Sequence, residues 1–236
     1  MRFAVCFLTL LAFVTSARSA VPSSIDPFYF MVGLVSSSES LAYIAPPQCE
    51  AFFRASGEQR ATELFLDAAR LWSKQHSSRA VTTHYYDPNG KRCVVENSEL
   101  STALYAFYAR PERFTKKEWS ERQKQPWFIQ AWKLKESDVL RLSRPQRLSF
   151  IAGVHARSMF NGKIYNQPTY AVRAAARILQ KEGCRVSKVN ADTSQGIDLA
   201  WFQVKLFKVE PSPHIAQLFA EVDRWQPPKV KWAEKK

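Results

Sequence analysis

Residues Ser143 to Val189 read SRPQRLSFIAGVHARSMFNGKIYNQPTYAVRAAARILQKEGCRVSKV. Ser143 and Gln146 have the spacing of a capping box, with Pro145 in the first turn, where its missing N–H costs nothing. Leu148, Ile151, Ala152, His155 and Met159 then recur as one helical stripe. Asn161-Gly162 breaks the stripe. A second helix begins near Pro168 and places Val172, Ala175, Ala176 and Leu179 on one face. Gly183 stands where a left-handed residue closes a helix, and Cys184–Val189 reads as a short strand. The stretch therefore predicts helix, polar connector, helix, strand.

Toward the N-terminus, Val21–Gln48 reads as an irregular arm rich in proline and serine. Its apolar run Phe28–Val35 is short enough for a buried strand, which is favoured over a lipid-contacting patch. Ser56-Gly-Glu-Gln59 is a second capping box, opening a helix to about Gln75. Ser78–Tyr86 and Lys91–Glu96 flank Asp87-Pro-Asn-Gly90, a turn whose Asn-Gly tolerates positive φ, and so predict a β-hairpin. Asn97–Ala109 reads as a helix ended by Pro111. Toward the C-terminus, Leu199–Val209 alternates as a strand, and Ser212-Pro213 caps a helix carrying Ile215, Leu218, Phe219 and Val222. No internal repeat stands out. The fold class expected is α+β: a predominantly helical single domain with a β-hairpin (about 79–96) and one or two further strands (about 184–189 and 199–209). That domain spans 21–225, between a leader (1–20) and a basic tail (226–236).

The leader rests on Arg2, the apolar run Phe3–Val14 and the small residues before Ala20, a pattern read as a cleaved signal peptide. The run falls short of the ~20 residues that span a bilayer, so no transmembrane segment is expected after leader removal. The address expected is secreted or periplasmic. Without Arg2 and Arg18 the formal net charge falls from +13 to about +11, which favours anionic partners. Arg110–Arg147 concentrates the charge, with 11 Lys/Arg against 5 Asp/Glu interleaved with Trp119, Trp127 and Trp132. Such a mixture suits stacking on single-stranded nucleic acid, but helical spacing of the tryptophans favours a core. Nucleic acid is the least favoured partner, because an exported chain seldom meets it.

Export to an oxidising compartment predicts a disulfide, with Cys49–Cys93 preferred among the three pairings that Cys49, Cys93 and Cys184 allow. The four histidines, at 76, 84, 155 and 214, have no metal-ligand spacing, so no metal and no cofactor are expected. Seven glycines and no phosphate-loop pattern exclude a nucleotide-cradling loop.

The connector from His155 to Asn166 gathers the candidate site. His155, Arg157, Lys163 and Tyr165 are the candidate catalytic residues: His155 as general base, a cation to stabilise an anion, and Tyr165 to orient a substrate. Arg157, Asn161, Lys163, Tyr165 and Asn166 are the candidate binding residues. The bland alternative makes His155 a satisfied core histidine and the cations a helix-end charge and a solvated loop residue. With no catalytic signature elsewhere, the sequence favours a non-enzymatic exported protein that binds an anionic envelope component, an acidic glycan or a protein partner. The alternative is a small exported hydrolase acting through the connector.

Overall fold

The computed structural model describes residues 21–36, 50–54, 58–85, 92–109, 133–160, 163–164, 169–189 and 206–230. Among these the chain forms seven helices and nine strands, an α+β fold in which helices predominate.

Helix α1 (Pro27–Val35) is the structural centre, and it corrects the strand expected at Phe28–Val35. Asp26 caps it, accepting from the amides of Phe28 at 2.9 Å and Tyr29 at 3.4 Å, and Pro27 takes the first helical position. Phe30, Met31, Val32 and Leu34 are fully buried. A helix apolar on every side has no stripe for periodicity to detect, which is why its sequence reads equally as a strand.

The chain then continues through β1 (Glu50–Arg54), α2 (Gln59–Gln75), β2 (Thr82–Tyr85), β3 (Arg92–Glu96), α3 (Ser98–Tyr105), β4 (Tyr108–Ala109), β5 (Lys133–Leu134) and α4 (Glu136–Arg141). Next come α5 (Arg144–Ser158), β6 (Met159–Phe160), β7 (Lys163–Ile164), α6 (Thr169–Lys181), β8 (Arg185–Val189), β9 (Leu206–Glu210) and α7 (Pro213–Arg224). The expected hairpin is present, with Thr83 opposite Val95 and Tyr85 opposite Cys93. The reach-back half of the capping box is present too, the Ser143 amide donating to Gln146 Oε1 at 3.0 Å. Gly183 has φ 77°, and the amides of Gly183 and Cys184 donate to the carbonyls of Gln180 and Leu179, the paired bonds of a Schellman close.

Two corrections concern organisation. The first part of the connector belongs to the helical stripe, since α5 runs to Ser158, but the chain then folds back as the strand pair β6–β7 where an irregular connector was expected. An internal repeat also exists. The order α1, β1, α2, β2, β3, α3 recurs as α5, β7, α6, β8, β9, α7, and the sheets β1-β3-β2 and β7-β9-β8 (with β6 outside β7) have the same strand order. The repeats meet at α1 against α5. A Cβ on Gly33 would lie 2.0 Å from the Phe150 carbonyl oxygen, and one on Gly153 would lie 2.0 Å from that of Phe30. Each glycine thus lets the other helix's backbone approach, and the contact is reciprocal about a local two-fold.

The end of the chain reaches back to its start. The fully buried Trp225 donates from Nε1 to Asp67 Oδ2 at 2.9 Å, with its ring 5.0 Å from that of Phe30. Beyond it, the Val230 amide donates to the buried Glu63 at 3.1 Å. The expected tail is therefore packed on α2 as far as residue 230. The preferred Cys49–Cys93 disulfide is not seen among the described residues, which begin β1 at Glu50. Cys93 faces Phe53, while Glu50, next to Cys49, pairs with Glu96 three residues farther along. Cys49 itself lies outside the described residues, and Cys184 is free and buried.

Candidate functional site

Arg157 joins the last turns of the two central helices. Its guanidinium is 5% exposed and donates to Glu58 Oε1 from Nε at 2.9 Å and from Nη2 at 2.6 Å, and from Nη1 to the Leu34 carbonyl at 3.3 Å. Ser36, at the end of α1, donates to the Gly33 carbonyl at 2.6 Å. Carbonyls left over at a helix end thus find a hydroxyl and a cation, the groups that suit that end of the dipole.

His155 does not join Arg157. Two residues on a helix are separated by about 200° of rotation, so the pair leaves α5 on opposite sides. His155 stacks on Phe219 with ring centroids 4.0 Å apart and planes 4° from parallel, and its Nε2 meets Asp223 Oδ1 at 3.0 Å. Its Nδ1 is buried and has no hydrogen-bond partner. Burial holds the imidazole below its ordinary pKa of 6.5, and the Asp223 carboxylate offsets this in part. Lys163 lies in β7, opposite Lys208 in register. Asn161, Tyr165 and Asn166 lie outside the described residues. The structure therefore separates His155 from Arg157, and the expected hydrolytic cluster of base and cation is not assembled by α5.

The sheet built on β7, β9 and β8 supplies a surface that the sequence reading passed over. Val209 is buried toward the helices, so its neighbours in the alternation, Lys208 and Glu210, turn outward. Arg185 and Ser187 are exposed on that outer side, where Arg185 pairs with Glu210 and Lys208 lies 3.8 Å from the same carboxylate. Lys163 is opposite Lys208 in register, and in the first sheet Arg54 is opposite Arg92. The signal was available as cations at alternating strand positions, which looks like ordinary solvation until the register is known.

A second polar network closes the far end of α6. Glu182, 6% exposed at its side chain, accepts from Arg144 Nη2 at 2.8 Å and meets His214 Nε2 at 2.9 Å, while Ser212 Oγ donates to the Glu182 carbonyl at 2.7 Å. The hydrogen bond from Arg144, with a smaller one from His214, holds the Glu182 carboxyl below its ordinary value despite burial. This network ties α5, α6 and α7 together.

No protein-family model matches the chain, and no curated protein matches it. Solved structures do. Mesophilic variants of the homing endonuclease I-DmoI superpose with a TM-score of 0.50 at 12% identity, covering 84% of this chain and 94% of that one. A variant of I-DmoI in complex with its target DNA and magnesium gives 0.49 at 13% identity, over 84% and 94%. I-DmoI with DNA and manganese gives 0.49 at 11%, over 87% and 98%. Among the described residues no three His, Cys, Asp or Glu side chains are grouped to hold a metal ion. Glu58 and Glu182, moreover, are already met by cations. The described residues do not fit a divalent ion.

The fold shared with I-DmoI overturns the reading of an exported binder for an anionic envelope component, acidic glycan or protein partner, and of the hydrolase alternative it removes the exported setting. It equally corrects the secreted or periplasmic address and the ranking of nucleic acid as the least favoured partner. A charge surplus attracts DNA phosphates as readily as envelope anions. The expected leader falls on residues 1–20, which lie outside the described residues. At this identity the likeness establishes one thing, a fold shared with the homing endonuclease I-DmoI.

Proposed function

We propose that this protein binds double-stranded DNA along the outer faces of its two repeat-related sheets. The observation that carries the reading is the exposed pair Arg185 and Lys208 on the outer face of the second sheet, in a fold shared with a DNA-acting enzyme. A chain of formal charge +13 adds a long-range attraction to the phosphates. The two-fold relation between the repeats matches a duplex, whose two strands present their backbones in equivalent ways on either side of a local dyad. The reading concerns binding.

Fluorescence anisotropy with a labelled duplex at increasing salt tests it. The expected result is an affinity that falls steeply and linearly in log salt. Lys208→Glu should weaken binding on every duplex and reduce the slope by about one. Absence of duplex binding at low salt, or a slope unchanged by the substitution, would overturn the proposal.

A further inference from the structure

On the helical side of the second sheet, away from Lys208, an open groove of about 460 Å³ is lined by Leu140 of α4 and by Arg177, Gln180 and Lys181 of α6. Helix α6 packs on β8 and β9, so the groove and the outer sheet face lie on opposite sides of that sheet. Arg173, Arg177 and Lys181 follow one another at intervals of four along α6, which places each cation one turn above the last.

The first interval of this row is already filled. Glu136, 14% exposed, accepts from Arg173 Nε at 3.1 Å on Oε2, and its Oε1 lies 3.0 Å from Arg177 Nη1 as an ion pair, so one carboxylate bridges two turns of cations. The second interval, Arg177 to Lys181, faces the groove. Arg177 is 61% exposed, Lys181 is exposed, and Gln180 adds an amide beside them. Leu140 is only half-buried and gives the groove an apolar wall. A volume of this size, within the ~300–1,000 Å³ range of ligand sites, takes a few side chains and not a duplex.

We propose that this groove docks an acidic-apolar segment of a partner protein. One partner carboxylate bridges Arg177 and Lys181 as Glu136 bridges Arg173 and Arg177, and a neighbouring apolar side chain rests on Leu140. Carboxylates are favoured over phosphodiesters by the apolar wall, and by the fact that the adjacent turn of the same row already holds a carboxylate in this geometry. The site is independent of the duplex-binding reading, and both partners can be held together.

The probe is a fluorescein-labelled peptide of mixed glutamate and leucine, titrated by anisotropy into the full-length protein, with a single-stranded RNA as competitor. Lys181→Glu is the main variant, because its side chain is exposed and makes no hydrogen bond or ion pair among the described residues. The expected result is saturable binding, weakened about tenfold by Lys181→Glu and by Leu140→Ser, and unchanged by Lys208→Glu. Duplex binding should respond in the opposite way, to Lys208→Glu and not to Lys181→Glu. No peptide binding, binding indifferent to Lys181→Glu, or tighter binding of the RNA with the same sensitivity would each overturn the proposal, the last by assigning the groove to nucleic acid.

Discussion

Gly33 and Gly153 each face the main chain of the helix that carries the other, the Gly33 side against the Phe150 carbonyl and the Gly153 side against the Phe30 carbonyl. The atoms a methyl group would strike are backbone, which cannot rotate away as a side-chain tip can. Gly33→Ala and Gly153→Ala should each destabilise by about 3 kcal/mol, at the upper end of overpacking costs, although alanine is the better helix former. Urea unfolding checks this: the midpoint should fall in both variants with little change in slope, and an unchanged midpoint in either would contradict the close approach.

His155 makes stability depend on acid. Its folded pKa lies below its ordinary value, so as pH falls through 6.5 the unfolded chain takes up a proton that the folded chain refuses. Folding free energy should therefore decline from about pH 6.5 downward until the folded pKa is reached. His155→Gln should remove that part of the pH profile, and Asp223→Asn, which withdraws the offsetting carboxylate, should extend the decline to lower pH. Denaturant midpoints measured from pH 7.5 to pH 5 will show both effects.

Glu182 acts at lower pH. Its folded pKa lies below the ordinary 4.5, so its contribution is present above that value and is lost as pH falls through the folded pKa. Glu182→Gln should cost about 2 kcal/mol near neutrality and flatten the lowest part of the acid limb, since the Arg144 and His214 donors lose a charged acceptor. A variant as stable as the parent at pH 7 would show that the network is solvated and carries no weight.

Trp225 anchors the chain's return to the first repeat. Trp225→Ala should destabilise by about 4 kcal/mol, combining a large cavity with the loss of the bond to Asp67. Trp225→Phe, which keeps most of the ring but lacks the donor, should recover more than half of that loss. Thermal melts of the two variants separate packing from hydrogen bonding.

The sequence was most legible where local chemistry has a distinctive spacing. The capping box at Ser143, the left-handed Gly183, the hairpin around residues 82–96 and the amphipathic α2, α6 and α7 all follow from residue pattern. It was least legible at α1. There the clue was small, an Asp26-Pro27 pair suited to a helix start, set against a run of apolar residues with no polar face. The repeat was hidden for a related reason. Around the two central glycines the repeats share Phe30 with Phe150 and Gly33 with Gly153, and backbone proximity needs little else in common. His155 and Arg157 do not converge because nearness along the chain is not nearness in space. Once His155 and Arg157 are on one continuous helix, their spacing sends one to Asp223 and the other to Glu58. Arg185 and Lys208 needed strand pairing, a non-local fact, before they could be seen as one surface.

The return of the chain onto α2 sets an order of events during synthesis. Arg60 donates to three carbonyls around the end of α7, Asp67 meets Trp225, and Glu63 meets Val230, partners 158 to 167 residues further along. While the ribosome is still translating the second repeat, the first must hold three charged groups of α2 without their eventual neighbours. Its maturation is thus completed only when the last-made described residues arrive, and a chain stalled before residue 225 should present that helix to chaperones or proteases.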